Sequence, residues 1–292
     1  MNNLSNSELT DKIVEKAKSL GASIAGVASV ESLKNSPSHK IYPKIDMNLN
    51  QNFADTKDNL NNDYIFWPED AVSAVVIGIE HNADEPELDW WDGKGTPGNR
   101  ILIKVNNQLS EWIEKTFSIK TYKLPYFVEK GGIFLKDVAV NSGLGCIGKN
   151  NLVITPEYGP RIRFRALLLN RDAKSTGPSD FNPCENCSQP CRKACPIKAF
   201  RNTIYSAKAL GQSILPGING TYDRVSCNIK MEKDIDEAAT MISANEKQQQ
   251  EVRQLITEFE KSHIKTPNGD QTFNYCVRYC RKCELSCPVG VA

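Results

Sequence analysis

Histidine is scarce in this chain of 292 residues: His39, His81 and His263 are all it has, and no two stand at a metal-clamping spacing. A mononuclear histidine metal site is therefore not expected. No run of eighteen apolar residues occurs, so no membrane-spanning helix is expected. The segment from Met1 to Leu20 is polar and charged, with neither a signal-peptide apolar core nor a twin-arginine pair. No G-x-G-x-x-G follows a strand-like run, which argues against a dinucleotide site. Charge of one sign is also lacking. With 36 Lys and Arg against 35 Asp and Glu, the net charge of +1 exerts no general pull toward nucleic acid or anionic membranes. Hydrophobic residues at 40% and charged residues at 24% make an ordinary globular composition, and the length suggests a large domain plus a smaller one.

What the chain has in abundance is cysteine, and it is concentrated. Nine of ten cysteines lie between positions 184 and 287. One ladder is Cys184, Cys187, Cys191 and Cys195 followed by Pro196; the other is Cys276, Cys280, Cys283 and Cys287 followed by Pro288, with Cys227 alone between them. Paired ladders ending in Cys-Pro are the bacterial ferredoxin pattern, in which the fourth thiolate of each ladder crosses over to the other cluster. That predicts two 4Fe–4S clusters. One would sit on Cys184, Cys187, Cys191 and Cys287; the other on Cys195, Cys280, Cys283 and either Cys227 or Cys276. The first ladder carries one extra residue, because Ser188, Gln189 and Pro190 stand where two residues are usual, and a proline-containing turn absorbs it. Structural zinc would leave the paired Cys-Pro endings unexplained. Thiolates in cluster spacing fit a reducing compartment, the cytoplasm, better than a disulfide scaffold.

Upstream, apolar spacing predicts a helix over 8–20, capped by Ser7 and ended by Gly21, then a strand over 23–28. Residues 34–62 read as a long loop, and 71–79 as a strand buried on both faces. The acidic stretch 84–98, with Trp90 and Trp91, reads as a binding loop or as a surface loop with tryptophan turned inward. A helix over 100–116, a strand over 121–128 and a helix over 133–142 follow. Then come three glycines in six residues, from Gly143 to Gly148, which bring a backbone close to something or make a tight turn. Strands over 151–155 and 162–170 flank a turn at 156–160. A polar helix is expected over 234–262. The domains implied are 1–180 and 181–292.

A two-cluster ferredoxin needs only a small domain, so the 180 residues before the first ladder should hold a redox partner site or a reactive cofactor. Here a resemblance becomes specific. Phe127-Val128-Glu129, followed by the string Gly143-Leu144-Gly145-Cys146-Ile147-Gly148-Lys149-Asn150, resembles the epoxyqueuosine reductases. The run from Thr155 to Arg163 is more similar to the corrinoid reductive dehalogenases. The resemblance implies an α+β architecture: a cobalamin-binding domain related to the nitroreductase fold, followed by a ferredoxin-like domain with two 4Fe–4S clusters. It implies a base-off cobalamin bound without a histidine ligand and reduced through the clusters by an external low-potential donor of ferredoxin or flavodoxin type. It also makes Cys227 the lone ligand between the ladders and Cys276 the spare thiol.

The same resemblance assigns roles. Glu129 stands where the family's proton-donating Asp stands, one methylene longer. Gly143, Leu144, Gly145, Cys146, Gly148, Lys149 and Asn150 would line the cofactor, as would Arg161 and Arg163, although the arginines also alternate as the polar face of a strand does. Cys146 replaces a Trp, and the helical-repeat tail associated with tRNA is missing after Pro288. These departures favour a cytoplasmic reductase that removes a leaving group from a small molecule, with nucleic acid and membrane not among the expected partners. The alternatives are a non-catalytic electron-transfer or corrinoid-handling protein, and epoxyqueuosine reduction itself.

Overall fold

The structure is a computed structural model, and it describes residues 4–44, 67–82, 86–91, 95–126, 128, 131–215, 220–243 and 278–291. It is a mixed helix-and-sheet fold built on four antiparallel strands: β1 (Ile24–Ser29), β2 (Ser73–Glu80), β3 (Thr121–Lys123) and β6 (Ile162–Leu169), in spatial order β1-β2-β6-β3. Strand β2 is central and nearly all of it is buried, as its β-branched run requires. Its alternate residues face two separate cores. Val75, Ile77 and Ile79 join Val27, Leu167 and Leu169 on one face; Ala74 and Val76 join Ala28, Ala166 and Leu168 on the other.

Two helices cover the first face. Helix α1 (Asn6–Ser19) buries Leu9, Ile13 and Ala17, and α4 (Pro97–Phe117) buries Ile101, Val105, Leu109 and Ile113. The cap of α1 is Ser5 and not Ser7, because Ser5 and Glu8 have the spacing of a reciprocal capping box: each side chain takes the other's backbone amide. Helix α4 starts three residues earlier than its periodicity suggests, since Thr96 caps Asn99 N–H and Pro97 is well placed in the first turn.

The second face is covered by α2 (Val30–Lys34) and α5 (Leu135–Asn141), and α3 (Pro37–Ile41) packs beside α2. The expected loop over 34–62 is thus helical at its start, and its part beyond 44 lies outside the described residues. The strand expected over 121–128 stops at Lys123, two residues before Pro125, which has no N–H to give a ladder. Strand β5 (Val153–Ile154) pairs with β4 (Cys146–Ile147) and not with β6, so the glycine string opens a small hairpin of its own.

The cysteine-rich part carries short helices, α6 (Pro190–Lys193), α7 (Ala207–Leu210) and α9 (Lys282–Leu285), and the longer α8 (Arg224–Ser243). The two ladder helices α6 and α9 pack against each other. Helix α8 begins ten residues before the polar helix expected at 234–262, whose part beyond 243 lies outside the described residues.

Candidate metal centre

The described cysteines are all free thiols. Their mutual electrostatics divide the ladder cysteines and Cys227 into two groups that mix the two ladders. Cys191 interacts with Cys184, Cys187 and Cys287, and Cys287 with Cys184 and Cys187. Cys227 interacts with Cys195 and Cys280, and Cys283 with Cys195, Cys227 and Cys280. The packing of α6 on α9 makes this exchange: it carries Cys287 to the first three thiols of the other ladder and leaves Cys195 to the second group. Burial pushes Cys191, Cys227 and Cys287 up from the ordinary thiol range and Cys283 up to about 12, with neighbouring thiols adding to the effect. Thiols so placed ionise readily only when something positive takes the proton's place. Among the described residues no three metal-ligating side chains converge on one ion-sized point. A cubane makes a different demand, since its four thiolates surround a cluster and not an ion. The donor set, eight thiols in two groups of four, fits two clusters. Cys276 lies outside the described residues.

Backbone donors already point at sulfur. Gln189 N–H approaches Cys187 Sγ at 3.5 Å and Ala199 N–H approaches Cys195 Sγ at 3.3 Å. Tyr222 lies near the Cys227 thiol.

The residues expected around a cofactor hold the cysteine segments instead. Lys149 Nζ donates to Glu185 O at 3.2 Å, and Asn150 Nδ2 to Cys283 O at 3.5 Å. Arg161 is buried and donates to the carbonyls of Cys287, at 3.2 Å, and Val289. Arg163 Nη2 reaches Glu284 Oε2 at 2.7 Å and Asp89 Oδ2 at 3.0 Å. The glycines are likewise packed on the chain itself. A Cβ on Gly145 would lie 2.1 Å from Ile154 O, and one on Gly143 would meet the backbone at 176–177. Leu144 packs half-buried against the core beside α5, and Gly148 against the Ile154 side chain. Cys146 is half-buried near Cys184 and Cys287, and burial pushes its thiol up to about 11. The expected acid, Glu129, lies outside the described residues.

A buried ion network was missed by sequence reasoning. Asp89 takes His81 Nδ1 at 2.7 Å, Arg281 at 2.6 Å and Arg163 at 3.0 Å, while Arg281 also pairs with Glu284. Burial alone would raise the Asp89 carboxyl, but Arg163, His81 and Arg281 outweigh it and hold it well below the carboxylate range. The available signal was Arg281 placed between two cysteines in a chain of balanced charge. Of the two tryptophans in the same loop, Trp90 is turned inward under the Arg278 guanidinium, 4.9 Å from its ring centroid.

Both described histidines are buried within the protein. His39 Nε2 accepts from Phe134 N–H at 3.2 Å, so the proton sits on Nδ1, which donates to Ser36 Oγ at 2.8 Å. His81 is fully buried on Asp89, with Nε2 against Gly98. The glycine string and its flanking cations are engaged by the chain itself in this structure.

No family model matches the chain. It is 32% identical over 142 residues to an epoxyqueuosine reductase of Lactococcus garvieae, which spans 45% of this chain and 39% of that protein. It is 26% identical over 225 residues to a tetrachloroethene reductive dehalogenase of Desulfitobacterium hafniense, 66% of this chain and 39% of the dehalogenase. Among solved structures, epoxyqueuosine reductase from Streptococcus thermophilus shares the fold with a TM-score of 0.58 at 20% identity, over 98% of this chain and 66% of that one. An epoxyqueuosine reductase solved with an epoxyqueuosine-modified tRNA-Tyr stem loop matches with a TM-score of 0.58 at 17% identity, over the same shares. The chain spans about two fifths of the length of the first two curated relatives.

Proposed function

We propose that this relative of the epoxyqueuosine reductases and reductive dehalogenases is itself a cobalamin- and iron–sulfur-dependent reductase of the cytoplasm. The fold is read as a nitroreductase-like domain over 1–180 and a ferredoxin-like domain over 181–292. The observation that carries this is the exchange of thiols between ladders: Cys184, Cys187, Cys191 with Cys287, and Cys195, Cys227, Cys280 with Cys283. Two cubanes held so move single electrons, and a corrinoid, when bound, supplies a strongly reducing cobalt centre. The chain's own residues then hold both clusters against the sheet: Arg161 and Asn150 fix ladder carbonyls, and Arg163 and Asp89 anchor the second ladder through Glu284 and Arg281. Glu129 is the proposed proton donor. An external donor of ferredoxin or flavodoxin type supplies the electrons, and the substrate is a small molecule that loses a leaving group.

A second reading takes the substrate to be epoxyqueuosine in tRNA. It is favoured by the 32% identity to a named epoxyqueuosine reductase and by the neighbour solved with a tRNA stem loop, so the expectation that nucleic acid is excluded is not retained. The net charge of +1 does not argue against it, since local patches decide such contacts.

Anaerobic reconstitution followed by titration with cobalamin tests the proposal. Iron and sulfide at two cubanes per chain, and a stoichiometric base-off visible spectrum that a low-potential reductant bleaches to the reduced form, are the expected results. Two cubanes without corrinoid binding would reduce the protein to an electron carrier. Restoration of queuosine in a deficient strain separates the tRNA substrate from small halogenated or epoxide compounds.

A further inference from the structure

The charges of this chain balance overall but not locally. From Asn186 to Tyr222 there is no Asp or Glu, yet the stretch has Arg192, Lys193, Lys198, Arg201 and Lys208. Arg192 is occupied within the fold: its guanidinium donates to Phe200 O and, at 3.3 Å, to Thr221 Oγ1, which ties α6 to the turn that follows Cys195. In that turn Lys198 N–H donates to Cys195 O at 3.2 Å and Arg201 N–H to Lys198 O at 3.0 Å. Lys193, Lys198 and Arg201 are left exposed on the two segments so joined. Exposed lysines elsewhere have carboxylate partners, Lys115 with Glu111, Lys120 with Asp70 and Lys233 with Glu237; among the described residues no carboxylate pairs with Lys193, Lys198 or Arg201. Of the acids that bound the stretch, Asp223 is occupied by Ser226 N–H, at 2.8 Å, and Ser226 Oγ, while Glu185 is exposed but precedes α6.

Helix α9, packed on α6, extends this surface. Its Arg281 and Glu284 turn inward to the Asp89 network, and Lys282 and Leu285, three apart on the helix, are exposed. Leu285 is 47% exposed and Val291 is 64% exposed, so an apolar spot lies among the cations. The sheet already holds these ladders through Asn150, Arg161 and Arg163. Cys187, Cys195, Cys280 and Cys283 are only partly buried, so clusters held on them come close to the surface.

We propose that Lys193, Lys198 and Arg201, with Lys282 and Leu285, form the dock for a small acidic protein that carries one electron, and that electrons enter the molecule there. The inference rests on the two-cluster reading above and adds the surface at which the external donor acts. The donor loses one electron and the cluster gains it, with no bond made or broken. Such encounters use small interfaces, and complementary charge supplies orientation and on-rate while an apolar centre is desolvated. A phosphate backbone would also be drawn to these cations. The protein donor is favoured because the cations stand within and beside the cysteine ladders, and because the exposed apolar residues are aliphatic, without the aromatic platform on which unpaired bases stack.

The test is anaerobic stopped-flow reduction of the reconstituted full chain by two acidic probes, a reduced bacterial ferredoxin and a reduced flavodoxin. Wild type is compared with the triple variant Lys193→Glu, Lys198→Glu, Arg201→Glu and with a control of equal charge change on exposed sheet-domain lysines, Lys12→Glu, Lys18→Glu, Lys104→Glu. At low ionic strength the ladder variant should be reduced at least about tenfold more slowly by a probe that reduces wild type. The gap should close toward about 1 M salt, where screening shortens to about 3 Å. Calorimetric affinity for the oxidised probe should weaken in step. Iron content, and reduction by a small uncharged photoreduced deazaflavin, should match wild type. Should the triple variant lose iron, Lys198→Glu with Arg201→Glu, which leaves α6 unaltered, decides. Unchanged rates, equal slowing in the control, or reduction of wild type by neither probe while deazaflavin succeeds would overturn the inference. So would loss of binding to bulk tRNA with donor rates intact, which would assign the surface to RNA. Absence of two clusters from wild type would instead sink the cluster reading.

Discussion

Cys227 is the residue on which the ligand arithmetic turns, because nine thiols between 184 and 287 are offered to eight places. Its thiol lies near Cys195, Cys280 and Cys283, so Cys227→Ser should lower the iron of the reconstituted protein from about eight to about four per chain. Cys276→Ser should leave it unchanged; iron analysis of the two variants decides between them. His39 illustrates a different residue-scale effect. Burial holds its pKa at about 4 against an ordinary 6.5, with Asp137 opposing. Between those values the unfolded chain binds a proton that the folded chain refuses, so stability is fullest above pH 6.5 and falls as the pH drops toward 4, by at most about 3 kcal/mol from this group. His81, lowered for the same reason, adds in the same direction. Denaturant unfolding of wild type and His39→Gln across pH 4 to 7 should show a shallower acid-side slope in the variant. The scarcity of histidine was legible from the chain; that both described rings are sealed on Asp and Ser partners was not, because Asp137 is 98 positions from His39.

At the scale of elements, the seam between sheet and ladders is made of close backbone approaches and a buried ion network. Gly159 lies in the turn between β5 and β6 at φ +54°, and a Cβ there would stand 1.9 Å from Val289 O; Gly290 answers it from the other side at φ +69°. Gly159→Ala should therefore displace the Cys287 segment and lower occupancy of the first cluster more than the second, read as loss of one reduced-cluster signal. Asp89 carries the opposite corner, between His81, Arg163 and Arg281. Asp89→Asn removes the shared counter-charge of two arginines and should destabilise the protein by about 3 kcal/mol, measured by urea unfolding of the reconstituted form. Elements whose determinants are local were readable: α1, β1, β2, α4, α5 and β6 follow periodicity, capping residues and β-branched runs. The errors lie where a partner was needed to define an element. Strand β3 ends at Lys123 ahead of Pro125, and β5 pairs with β4, a choice that apolar pattern alone does not make.

For the whole molecule, the two parts depend on each other unequally. The sheet has a core on each face and needs no metal for it, whereas the described cysteine segments carry few buried apolar residues, chiefly Ala199 and Phe200 with Cys191 and Cys287. Removal of iron by chelation should thus open the region after residue 183 to protease while the sheet stays protected, as peptide mapping of limited digests would show. The expectation of 4Fe–4S clusters on the ladder cysteines came from the sequence by itself, because cubane ligation is written in short spacings and Cys-Pro endings that need no fold to be read. The sequence also determined the buried central strand. Only the tertiary structure decided what Lys149, Asn150, Arg161 and Arg163 hold. Those facts arise from packing α6 on α9 and both against the sheet, which joins residues more than a hundred positions apart. A charged side chain's partner is set by that packing, and nothing in its own neighbourhood of the chain specifies it.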